Sequence, residues 1–150
     1  MSCGCGGSTH SGCGDFTIRP RTTRIDITVN AGESLELLIP ILDAACEPVE
    51  IVEGTEGDWT AEAMVRRNAL GSVALHTWTT AGDDPNAFIV PGSPAQVRLV
   101  ATAAETSQWQ VHWPDFTNSW DLMLTEPATS GGEPYRLGAG LFNLSAQHTR

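Results

Sequence analysis

The sequence predicts an all-β chain: a single immunoglobulin-like β-sandwich of about eight strands, with one short helical turn and a flexible N-terminal arm. Three observations predict it. Short runs rich in Val, Ile, Thr and Trp recur at roughly 8–15-residue spacing, separated by turn residues. Several of these runs alternate between apolar and polar positions, the period of a half-buried strand. No long helical segments alternate with them, which excludes a parallel α/β architecture.

The chain has 150 residues, enough for one domain with a sizeable core, and 41% of it is hydrophobic. Residues 1–15 are Gly/Ser/Cys-rich without hydrophobic period and read as the flexible arm. Residues 16–150 read as the sandwich domain. In RIDITVN, Ile25, Ile27 and Val29 share one face and Arg24, Asp26 and Thr28 the other. NAGES is a turn. LELLIPIL follows, with Leu35, Leu37, Ile39 and Ile41 on one face; Pro40 lacks a ladder donor and predicts an edge strand or a bulge. DWTAEAMVRR (58–67) is read as a strand, turning through NALGSV into VALHTW. AFIV, QVRLVAT and WQVHW are three further extended candidates. Between the last two, Thr102 and Glu105 have the spacing of a capping box, which predicts one short helical turn. SWDLMLTE and PYRLGAGLFNLS pair across the glycine-rich PATSGGE.

Charge narrows the function classes. The formal charge is −10, from 18 acidic and 8 basic residues, all eight of them arginine. Such a field repels nucleic-acid phosphates and anionic membrane surfaces, so neither is expected as a partner. The longest apolar runs are too short to span a bilayer. The N-terminus has no basic region followed by an apolar one, so a secretory signal is not expected.

The C-terminal third, SWDLMLTEPATSGGEPYRLGAGLFNLSAQHTR, resembles the closing segment of small β-sandwich domains in tailed-phage virion proteins. The elements that carry the likeness are Trp120-Asp121-Leu122, Gly131-Gly132, Arg136-Leu137, Gly140 and Thr149-Arg150. Upstream, VNAGESLELLIPILDAACEPVEI is similar to their opening, EAMVRR to their inward strand ending in arginine, and ATAAETSQW to their capped turn. The likeness covers roughly residues 24–150. It implies a non-enzymatic structural protein of the virion, assembled in the host cytoplasm as a symmetric homo-oligomer. Siphophage tail-fibre collar proteins and the N-terminal part of baseplate upper proteins carry such domains, whose partners are the tail tube or fibre proteins. A capsid decoration protein seated on the major capsid protein is the alternative. A carbohydrate-binding module for host recognition is the third.

Chemistry candidates are few. Cys3, Cys5, His10 and Cys13 form a C-x-C-x4-H-x2-C pattern, the ligand types of tetrahedral zinc, although the spacing departs from paired knuckles. The same residues suit a disulfide, an intersubunit crosslink or an unliganded arm. Cys46 is expected as a small buried hydrophobe. The arm's glycines lack the strand, helix and Lys-Ser/Thr of a phosphate loop. His76 and His112 are expected as surface or half-buried strand residues, without an orienting partner or nucleophile, so no catalytic residue is assigned. GDDPN (82–86) has oxygens for calcium but not the length of an EF-hand, and is expected as a plain Asp-Pro turn. Of five tryptophans, Trp109 and Trp113 are the candidates for an exposed pair at a subunit interface or a sugar-stacking platform.

Overall fold

Alternation becomes architecture strand by strand. The computed structural model describes residues 22–68 and 70–146. In order, β1 is Thr23–Arg24, β2 Ile27–Asn30, β3 Leu35–Pro40, β4 Thr60–Arg66, β5 Ala74–Thr79, β6 Ala87–Val90 and β7 Gln96–Ala101. Helix α1 is Ala103–His112, β8 is Thr117–Thr125 and β9 is Pro134–Ser145.

The strands form two sheets. One has the order β1-β9-β8-β4-β5, with β2 also on the free side of β9; the other is β3-β7-β6. This is the strand order of an immunoglobulin-like sandwich, with β4, β8 and β9 in the C, F and G positions and β3, β7 and β6 in B, E and D. The expected β-sandwich is the observed one; the expected arm, residues 1–15, lies outside the described residues, and the expected short helical turn is a helix of 10 residues. β3 is an edge strand, so Pro40 withholds its missing donor where no neighbour needs it.

The inner faces meet in one core. Ala63, Val65, Trp78, Leu122, Leu124 and Phe142 of the larger sheet pack with Ile39, Val97 and Leu99 of the smaller. Trp78 is fully buried, and its indole N–H donates to the Val100 carbonyl at 2.9 Å. That bond ties β5 of one sheet to β7 of the other while satisfying the one polar atom of a large apolar side chain.

Two expectations need correction. RIDITVN is not one continuous strand. β1 and β2 keep a single parallel register on β9, with Arg24 opposite Ala139 and Ile27 opposite Phe142, but the ladder is interrupted at Ile25 and Asp26. There the Ile25 carbonyl accepts the Trp120 indole N–H at 2.7 Å, and the Asp26 carboxylate accepts the Leu141 amide at 2.9 Å. The Ile25 amide keeps its bond to the Ala139 carbonyl at 2.9 Å, and side-chain groups take the place of the bond that would join the Leu141 amide to the Ile25 carbonyl.

WQVHW is not a strand either, since α1 continues through Trp109 to His112. The capping box is present in full: the Thr102 hydroxyl accepts the Glu105 amide at 3.1 Å and the Glu105 carboxylate accepts the Thr102 amide at 3.0 Å. Helical spacing then turns Thr106, Trp109 and Trp113 inward and leaves Val111 exposed. A strand would have placed Val111 with the tryptophans.

Thr106 fastens this helix to the turn after β2. Its buried hydroxyl donates to the Glu33 carbonyl at 2.8 Å and accepts the Gly32 amide at 3.0 Å. Thr106→Val keeps the shape but strands both backbone groups. It is expected to cost about 1–3 kcal/mol in urea unfolding, whereas Thr106→Ser, which keeps the hydroxyl, should recover most of that.

Candidate functional site

Cys3, Cys5, His10 and Cys13 lie outside the described residues. Cys46 is not the buried hydrophobe expected. It is half-buried, disulfide-bonded, and sits in a tight turn with φ 64°. The turn is closed by Asp43, whose carboxylate accepts the amides of Ala45 and Glu47 at 2.8 and 3.0 Å. Among the described residues, no three His, Cys, Asp or Glu side chains come together as a metal cluster. GDDPN is a turn: the Asn86 side chain accepts the Thr79 amide at 2.8 Å and donates to the Thr77 carbonyl at 3.1 Å.

Trp109 and Trp113 are buried, not exposed. Their rings stack with centroids 4.8 Å apart and an interplanar angle of 15°. Phe142 lies 5.9 Å from Trp109 and 5.7 Å from Trp113, and Trp78 meets Trp109 edge-on at 6.0 Å. The pair is therefore core. It offers neither a subunit contact nor a sugar platform on the surface. The reason is the helix, which aims both rings at the sandwich.

His76, on β5, belongs to the same cluster, 4.4 Å from the Trp78 ring and 4.8 Å from that of Trp109. It is half-buried in a strand, as expected, whereas His112 ends the helix and is exposed. The His76 Nε2 is buried and has no hydrogen-bond partner among the described residues. Burial lowers its pKa below the ordinary 6.5, opposed by the nearby Glu105 carboxylate. The imidazole is thus kept neutral in the fold, and protonation is easier in the unfolded chain. Its contribution is complete above pH 6.5 and is lost as pH falls from there towards the lowered folded value. Urea midpoints measured from pH 7.5 to 5 should fall more steeply for the natural chain than for His76→Phe.

The outer face of the larger sheet carries the charge feature that sequence reasoning missed. Arg66 ends β4, Ser119 and Asp121 project from β8, Arg136, Ala139 and Leu141 from β9, and Arg24 from β1; together they line a cleft of about 290 Å³. Asp121 lies at its centre, 3.2 Å from Arg66 Nη1 and 3.7 Å from Arg136 Nη2. Arg24 pairs with Asp26 at 3.3 Å. The Leu141 amide is the main cause that lowers the Asp26 carboxyl pKa, with Arg24 adding to it. Of the five described arginines (Arg24, Arg66, Arg67, Arg98 and Arg136), three line this one cleft.

A second feature is apolar. Leu70 and Val73, on the β4–β5 loop, are 96% and 73% exposed. Val111 near the end of α1 is 68% exposed, and Phe116, just before β8, 50%. An Arg67–Asp115 ion pair at 2.9 Å draws the loop to the segment between α1 and β8, so all four lie at one end of the sandwich.

No family model matches this chain, and no curated protein does. Among solved structures, a titin I27 domain mutant is similar over 90% of this chain and 95% of its own, with 9% identity and a TM-score of 0.36. An ASH/PapD-like domain of human CEP192 is similar over 89% of this chain and 85% of its own, with 12% identity and a TM-score of 0.26.

Proposed function

We propose that this chain is a non-enzymatic structural module of a tailed-phage virion, an adaptor of the collar, baseplate or fibre attachment that works as a symmetric homo-oligomer. The observation that carries the assembly half of this reading is the apolar end of the sandwich. Leu70, Val73, Val111 and Phe116 are all exposed at one end of the sandwich, and apolar side chains exposed together in this way mark protein contacts. The resemblance of residues 24–150 to virion sandwich domains supplies the setting.

Copy number in purified particles tests the reading. A tail adaptor should give a band far weaker than the major capsid protein on a denaturing gel. A band comparable to it would move the protein to the head as a decoration protein. Leu70→Asp, at a loop position that is 96% exposed, should leave the melting temperature unchanged and remove the protein from particles. Normal incorporation of that variant would show that the apolar end is not the docking surface.

A further inference from the structure

We infer that the arginine cleft on the larger sheet receives the acidic segment 43–58 of a second copy of this chain, in a head-to-tail contact. The inference rests on the reading of the chain as a self-assembling module and names the surfaces that would join.

The first support is charge. In a chain of formal charge −10, the cleft is lined by three guanidinium groups, Arg66 and Arg136 beside Asp121 and Arg24 beside Asp26, so cations outnumber the carboxylates they meet. Arg24 and Arg136 are 71% and 58% exposed at its rim, and Arg136 stands 3.7 Å from Asp121, beyond hydrogen-bond reach. Arg24 is already paired with Asp26, but Arg136 makes no hydrogen bond to Asp121, and both guanidiniums are exposed to an incoming carboxylate, which such a group grips with two parallel bonds.

The complementary surface is on the same chain. Segment 43–58 contains Asp43, Glu47, Glu50, Glu53, Glu56 and Asp58 and no basic residue. Glu47, Glu50, Glu53 and Asp58 are exposed and make no ion pair among the described residues. The segment is held in place by paired bonds between Ile51 and Gly92, at 3.0 and 2.9 Å. Val52, 59% exposed, stands between Glu50 and Glu53; on the cleft, Leu141, 39% exposed, stands beside the arginines. An apolar contact flanked by carboxylates thus faces one flanked by guanidiniums.

Topology makes the contact intermolecular. The segment leaves β3 and is pinned to Gly92, after β6, both in the smaller sheet; the cleft is on the outer face of the larger. One copy cannot close on itself. A contact between two unlike surfaces repeats from copy to copy and closes into a ring when the rotation permits.

A charge-swap experiment tests this. In sedimentation velocity the full chain should associate with rising concentration and dissociate in high salt. The variant Arg24→Glu/Arg136→Glu has two acidic surfaces, and Glu50→Arg/Glu53→Arg has two basic ones. Each alone should self-associate at least about tenfold more weakly than the natural chain. Mixed in equal amounts, they should associate again, because each cleft then meets an opposite charge. Glu50→Gln/Glu53→Gln, a milder change in the exposed segment, should also weaken association. A natural chain that stays monomeric at every concentration, or a mixture that does not recover association, would overturn the contact. Particle incorporation reads separately: protein present in virions but monomeric in solution removes the contact and keeps the assembly role. Charge-dependent association without incorporation removes the virion setting and keeps the contact.

Discussion

Gly140→Ala is expected to unseat the first two strands and lower stability by about 2–4 kcal/mol, an effect large for one methyl group. A Cβ at this position would stand 2.1 Å from the Ile25 carbonyl oxygen, 2.7 Å from its carbon and 2.8 Å from the Asp26 carboxylate. Neither chain has room to retreat. The Ile25 amide donates to the Ala139 carbonyl at 2.9 Å, its carbonyl is held by the Trp120 indole, and Asp26 holds the Leu141 amide. Relieving the clash breaks this set of bonds and lifts Ile27 and Val29, both buried, from the core. Gly138→Ala is the control. Its Cβ would meet the Trp120 ring at 3.4 Å, ordinary contact, and the loss should be far smaller. Urea unfolding gives both magnitudes, and hydrogen exchange should show Ile27 to Asn30 losing protection in the Gly140 variant alone.

Trp109→Ala is the second large effect, expected at about 3–5 kcal/mol. It removes a ring stacked on Trp113 and in contact with Trp78, His76 and Phe142, and no neighbour can fill so large a void. The size of the loss separates core from interface. A core tryptophan lowers the melting temperature by the same amount at every protein concentration. An interface tryptophan would leave the dilute chain unchanged and act only where copies associate.

Much of the fold is legible from period and punctuation. PYRLGAGLFNLS is β9 to the residue, Pro40 marks an edge strand, and Thr102 with Glu105 marks a helix start. What fails is the reach of a local signal. The capping box says where α1 begins, but the aromatic run WQVHW reads equally as strand, and only the core's demand for Trp109 and Trp113 together extends the helix. The mistaken exposure of those two rings follows from that one misreading. The arginine cleft is illegible for another reason. Alternation places Arg24 opposite in face to Ile25, and Arg66 opposite to Val65, but their meeting with Arg136 depends on the register of β1, β4, β8 and β9. Residues 112 positions apart in sequence (136 − 24) become neighbours only when those strands pair. Gly140 is intermediate: a glycine inside a strand signals a bulge or a close approach, but not which chain approaches.

The assembly role is the central claim, and antibody-gold labelling of intact particles, raised against residues 16–150, tests it most directly. The account predicts gold at the collar, baseplate or fibre attachment, at few positions per particle. Particles that carry no label anywhere, from a preparation whose host lysate contains the protein, would contradict it.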